Sequence, residues 1–93
     1  MKVRYTETAF AELTEIFHYI AADNPKAAKA VVARLERLTE SLRGFPHMAR
    51  FVDEQGAHIV RIGRYPYLLF YVVNGDEIVI LHVRHASRRS PSP

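Results

Sequence analysis

The chain has no cysteine, few glycines and no long apolar run, and each shortage removes a class of protein. Zero Cys in 93 residues excludes a disulfide framework, thiolate metal sites and a cysteine nucleophile. The four glycines, Gly44, Gly56, Gly63 and Gly75, stand apart as turn residues, so there is no phosphate-cradling loop, and no G-x-S-x-G occurs. The longest apolar run is Tyr67 to Val73, far short of the roughly 20 residues that span a bilayer. Met1-Lys2-Val3-Arg4-Tyr5 leads into Glu7 without the apolar stretch of a signal peptide, so a cytoplasmic protein with no membrane association is expected. Acids are missing from one end. Residues 1–56 hold eight Lys/Arg and eight Asp/Glu, whereas residues 57–93 hold Arg61, Arg64, Arg84, Arg88 and Arg89 against only Asp76 and Glu77. The whole net charge of +3 (5 − 2) therefore sits in the last 37 residues (93 − 56).

What is present is an ordinary globular composition, 48% apolar and 25% charged, enough for one domain with one modest core. Val3-Arg4-Tyr5 reads as a short strand. Thr6 can then cap a helix of about residues 7–22, with Glu7 in its first turn. Phe10, Leu13, Phe17 and Ile20, joined by Ala9 and Ile16, form its apolar stripe. Asp23-Asn24-Pro25 breaks this helix and restarts another, Asn24 as cap and Pro25 at the first position. Ala28, Val31, Val32, Leu35, Leu38 and Leu42 carry the stripe to Arg43, where Gly44 and Phe45-Pro46 stop it. The polar positions of this helix pair (Glu12, Glu15, Lys26, Lys29, Arg34, Glu36, Arg37, Glu40) mix signs and read as a solvated face.

From Ala57 the period changes from helical to alternating. His58–Ile62, Tyr67–Val73 and Glu77–His85 read as three strands of a meander, the last two joined at Asn74-Gly75. With Asn74-Gly75 as the two loop residues, partner numbers sum to 149. One face then carries Tyr67, Leu69 and Tyr71 beside His82, Ile80 and Ile78. The other carries Leu68, Phe70 and Val72 beside Leu81, Val79 and Glu77, with Val83 next along. Both faces are apolar and one helix hairpin covers only one of them. The spare face predicts a partner, unless the sheet curls on itself or a longer turn shifts the register. Histidines 82 and 85 lie three apart on a strand and point to opposite faces, so they do not share a metal ion; no metal and no cofactor are expected.

A short strand, a helix hairpin with Asn24-Pro25 at its corner, and a meander form a familiar series. With the run Arg64-Tyr65-Pro66-Tyr67-Leu68-Leu69-Phe70-Tyr71-Val72-Val73-Asn74-Gly75-Asp76 and the ending Val83-Arg84-His85-Ala86-Ser87-Arg88-Arg89, this resembles the RelE/ParE superfamily of type II toxin–antitoxin toxins, and more closely its ParE branch. The resemblance covers about residues 3–89. It implies an α+β fold with a β-α-α-β-β-β order, the helix hairpin packed on a curved antiparallel sheet. It also implies a single domain over residues 1–89, leaving residues 90–93 as a disordered tail. Its implied partner is a ParD-like or similar antitoxin, held over Leu68, Phe70, Val72, Leu81 and Val83. The ParE branch implies DNA gyrase as the target, inhibited by binding rather than by an enzyme's reaction, with Arg61, Arg64, Arg84, Arg88 and Arg89 as target contacts. The RelE branch implies a ribosome-dependent mRNA endonuclease. Its chemistry needs a base, a cation and an acid, and carried over by position the set here is Arg61, His85 and Arg88. Leu68 and Ile59 stand where that branch places basic residues. A non-toxic module that only binds an antitoxin is a third reading. Five arginines are a thin footprint for nucleic acid, so no direct specific nucleic-acid binding is expected.

Overall fold

The computed structural model describes residues 1–49 and 51–88. Strand β1 (Lys2–Tyr5) runs straight into helix α1 (Glu7–Asp23), whose first turn is closed by Thr6 Oγ1 accepting from the Ala9 amide at 3.0 Å. The same device repeats at the corner. Asn24 Oδ1 accepts from the Ala27 amide at 3.1 Å, and Pro25 opens α2 (Pro25–Gly44) at the position where no amide donor is needed. Strands β2 (Phe51–Val52), β3 (His58–Arg61), β4 (Tyr67–Asn74) and β5 (Glu77–His85) follow, ending in a 3-10 turn at Ala86–Arg88.

The sheet order is β1-β5-β4-β3-β2. Neighbours are antiparallel except β1 and β5, which run parallel with Lys2 opposite Glu77 and Tyr5 opposite Ile80. The expected two helices on a sheet are present. The sheet differs in being mixed and in gaining the two-residue β2, which follows a loop tied down by Tyr71 Oη donating to the Pro46 carbonyl at 2.8 Å. Both helices lie on one face. Ala9, Leu35, Leu42, Ile62, Tyr67, Leu69, Tyr71, Ile78, Ile80 and Val83 make the buried core there, with Leu13, Ile16 and Ile20 packed against it. Fully burying such a side chain contributes about 1.5–3 kcal/mol. The α1 stripe is thus Ala9, Leu13, Ile16 and Ile20. Phe10, read as part of it, is 63% exposed on the helix's outer side.

The hairpin register departs from the expected one in two steps. Asn74 pairs with Glu77, so the loop residues are Gly75-Asp76, with Gly75 supplying the positive φ of 64°. Partner numbers then sum to 151, which moves the pairing by two and keeps every side chain on its face. The second step is a bulge. Phe70 pairs with His82 while Tyr71 pairs with Ile80, leaving Leu81 as the extra residue of β5. One unpaired residue reverses the alternation beyond it. Val83 and His85 are therefore turned to the helix side, and His82 and Arg84 to the open side. This corrects the expected placement of Val83 on the open face: it is 2% exposed beneath the helices.

The buried Tyr71 and the half-buried Tyr5 give the core an alkaline limit. Burial raises the Tyr71 hydroxyl above its ordinary value of 10.0, against an opposing hydrogen bond from the Ala49 backbone. Burial first and the Glu36 charge second raise Tyr5. The folded chain then keeps phenolic protons that the unfolded chain gives up near pH 10, so stability is full below that pH and falls as pH rises beyond it. Urea unfolding of Tyr71→Phe is expected to show a loss of about 0.5–1.5 kcal/mol at neutral pH, for the hydrogen bond to Pro46, and a shallower decline above pH 10 than wild type.

Candidate functional site

The open face of the sheet has Phe70 of β4 at its centre. Around it lie Leu68 and Val72 on the same strand, Ile59 and Arg61 on β3, Val79, His82 and Arg84 on β5, and Arg4 on β1. Among the described residues no helix covers this face, yet Phe70 is only 8% exposed and Val79 only 6%. Charged side chains do the covering. The Arg84 guanidinium stands 5.7 Å from the Phe70 ring centroid, in cation–π geometry. The His82 ring meets Phe70 edge-on at 6.0 Å. Arg4 Nε bridges to Glu77 Oε2 at 3.0 Å across β1 and β5. Leu68, Val72 and Leu81 remain half-exposed. The expected apolar face exists, but it is narrower than the alternation implied and is framed by arginines.

Glu12 of α1 organises this frame. Strand β1 accompanies β5 only as far as Ile80, so the β5 backbone beyond that point has lost its neighbour. Thr6 Oγ1 donates to the Leu81 carbonyl at 3.2 Å, and Glu12 Oε1 accepts from the Val83 amide at 2.9 Å. The carboxylate thus takes the place of a strand. It also lies 3.6 Å from Arg84 Nε and 3.3 Å from His82 Nδ1. That nitrogen sits 3.2 Å from Arg84 Nη2 as well, and can donate to the carboxylate or accept from the guanidinium, not both at once. Glu12 is therefore not the solvated surface charge that the mixed signs of the helix pair imply. The signal for its role was its position between Ala9 and Ile16, on the edge of the buried stripe.

The other candidates are dispersed. Arg61 is exposed at the β3 edge, its Nε donating to the Tyr65 carbonyl at 3.0 Å, and Arg64 is exposed in the turn that follows. His85 faces the helix side, where its Nδ1 accepts from the Ser87 amide at 3.1 Å and its ring meets Tyr67 edge-on at 5.3 Å. A groove between α1 and this strand end is lined by Glu15, Ile16, Tyr19, Tyr67 and His85. Arg61 and His85 thus occupy opposite faces and are not brought together. The Arg88 side chain and Arg89, with residues 90–93, lie outside the described residues. Among the described residues no group of three or more His, Asp or Glu is placed to hold a metal ion. No helix of the described chain is long and apolar enough to cross a membrane.

The model of the ParE toxin of the type II toxin–antitoxin system parDE matches residues 3–90. The chain belongs to this family. It is also 32% identical over 90 residues to the Sinorhizobium fredii protein Y4kP, covering 97% of this chain and 93% of that one. It is 32% identical over 87 residues to the Caulobacter vibrioides toxin RelE2, covering 94% and 97%. Among solved structures, a chain of the chromosomal ParDE system from P. aeruginosa superposes with a TM-score of 0.75 at 25% identity, over 91% of this chain and 95% of the other. This ParE-family protein is therefore a toxin of a type II module, and membership implies an antitoxin as its partner.

Glu12 can be separated into an acceptor and a charge. Glu12→Ala leaves the Val83 amide without its acceptor and is expected to cost about 1–3 kcal/mol in urea unfolding, whereas Glu12→Gln keeps an acceptor and should lose less than half of that. Equal losses would mean that the charge, and not the capped amide, is what matters.

Proposed function

We propose that this toxin inhibits DNA gyrase by binding to it, and that its antitoxin covers the open face of the sheet over Leu68, Phe70, Val72 and Leu81. The observation that carries the first part is the separation of the nuclease candidates. General acid–base cleavage of RNA needs its base, cation and acid around one phosphate. Here Arg61 and His85 project from opposite faces, His85 is engaged with Ser87, and Leu68 and Ile59 occupy the strand positions where cations would be needed. An inhibitor that acts by binding requires no such assembly. The match to the ParE toxin model supports the same reading.

The second part rests on the half-exposed apolar residues and their charged frame. A protein interface places an apolar centre inside a polar margin. Leu68, Val72 and Leu81 supply the centre around Phe70, and Arg61 and Arg84 part of the margin. Val83 has no share in it, being buried under the helices. The margin arginines, together with Arg64 and the terminal Arg88 and Arg89, are the proposed target contacts. A second reading, ribosome-dependent mRNA cleavage, is favoured by one observation, the name RelE2 carried by the Caulobacter relative.

Purified toxin is expected to block gyrase supercoiling or to trap cleaved DNA at near-stoichiometric ratios. No effect at excess, with codon-phased mRNA cuts after induction, would replace this reading with the endonuclease. For the antitoxin face, Leu68→Glu/Val72→Glu should keep the native circular dichroism spectrum and weaken antitoxin binding in calorimetry by at least about 100-fold, the scale of losing a central apolar contact.

A further inference from the structure

A second charged surface meets the open face at Arg61 and extends from there toward α2. Two adjoining grooves run between α2 and the β3 edge. The first, about 460 Å³, is lined by Ala30, Ala33, Arg34, Arg37, Arg64 and Tyr65. The second shares Arg34 and Arg37 and adds Leu38, Ser41, Met48, Val60, Arg61 and Gly63. Two arginines from the helix and two from the strand and its turn thus border one continuous trough. All four are exposed, and no acid lines either groove. Among the described residues none of the four makes an ion pair, although Arg4, Arg43 and Arg84 all do. Four unpaired cations close together repel one another, which costs stability unless an anion joins them.

The trough is held in shape by backbone. Gly63 adopts φ +57°, and a β-carbon there would stand 2.5 Å from Arg34 Nε and 2.8 Å from its Cγ. The bare glycine lets the Arg34 side chain lie across the turn, between the strand that carries Arg61 and the residue Arg64. Arg61 is fixed in turn through Nε to the Tyr65 carbonyl. The floor is small at Ala30 and Ala33 and turns apolar toward Leu38, Met48 and Val60, so the cations form its rim. Guanidinium groups bind phosphate oxygens in a planar, two-point fashion, and a row of them suits a repeating anion.

We propose that this four-arginine trough binds the phosphodiester backbone of nucleic acid, independently of base sequence. The assignment stands apart from the choice between gyrase and ribosome, since it rests on the trough alone. It also gives Arg34 and Arg37 a function that their place on a mixed-charge helix face conceals.

Fluorescence anisotropy of the full chain with a short labelled DNA duplex and a single-stranded RNA of the same sequence, between about 50 and 200 mM salt, tests the assignment. Wild type is expected to bind with strong salt dependence. Arg34→Ala/Arg37→Ala should weaken binding about tenfold or more and lower the log–log salt slope by about 1–2. Arg37→Ala/Arg64→Ala, which leaves Arg34 on Gly63, should do the same if the first variant proves unstable. Lys26→Ala/Lys29→Ala removes equal charge from the same helix outside the trough, and should change affinity less than about threefold. Tighter binding of DNA or of RNA supports the proposal and identifies the source. Absence of salt-dependent binding, an equal loss in the lysine variant, or arginine-dependent capture of poly-glutamate in preference to both nucleic acids would overturn it, the last assigning the trough to an acidic protein.

Discussion

The structure depends on how strand β5 is flanked. It is the second strand from the sheet edge, but its neighbour β1 is too short to accompany it to the end. A polar backbone left open there would be both unsatisfied and ready to pair with another chain. The protein meets this with side chains from the element that β1 turns into: the Thr6 hydroxyl, the Glu12 carboxylate and a bulge at Leu81. Everything at that end follows from this solution. Because the bulge reverses alternation, Val83 completes the core while His82 and Arg84 come to the open face. Because Glu12 must reach the Val83 amide, it also stands where it can hold the Arg84 guanidinium beside Phe70.

Much of the fold could be read from local chemistry. Thr6 and Asn24-Pro25 mark helix starts through the hydrogen bonds those residues make, and the shift to period two after Ala57 marks the sheet. Such signals are contained in a few neighbouring residues. The bulge is not, since it answers to the length of β1, some 75 positions away in sequence (Lys2 to Glu77). A reading of β5 by strict alternation therefore placed Val83 and the two histidines on the wrong faces, although it correctly held the histidines apart. Phe10 misled for a similar reason, because the stripe of α1 is defined by what covers it and Ala9 was the better guide. The candidate site was legible in part. Leu68, Phe70 and Val72 fall on the open face as expected, whereas Glu12, Arg34 and Arg37 were hidden among surface charges that only three-dimensional neighbours distinguish.

The charge asymmetry of the sequence also takes a different form in the fold. The arginines of the C-terminal stretch do not make one stripe. Arg84 lies over the apolar centre of the open face, while Arg61 and Arg64 belong equally to the trough that α2 completes. The acids that balance α2 along the sequence do not line that trough. Formal neutrality over residues 1–56 therefore coexists with a strongly cationic local surface. The two surfaces differ in their charges: acids and arginines share the frame of the open face, whereas arginines alone carry charge in the trough.

The parallel pairing of β1 with β5 has a consequence in time. The first strand to leave the ribosome is matched with the last one, and its partner Ile80 follows Tyr5 by 75 residues, on the order of 4–15 s at ordinary rates of synthesis. The capped helix hairpin involves only neighbouring residues and can form meanwhile, but β1 must wait, and with it the Glu12 cap, the bulge and the whole open face. A nascent chain shorter than about residue 85 thus has helices without a finished surface. Translation itself delays the appearance of the harmful form until β5 has been made, leaving an interval in which an antitoxin already in the cell can be at hand.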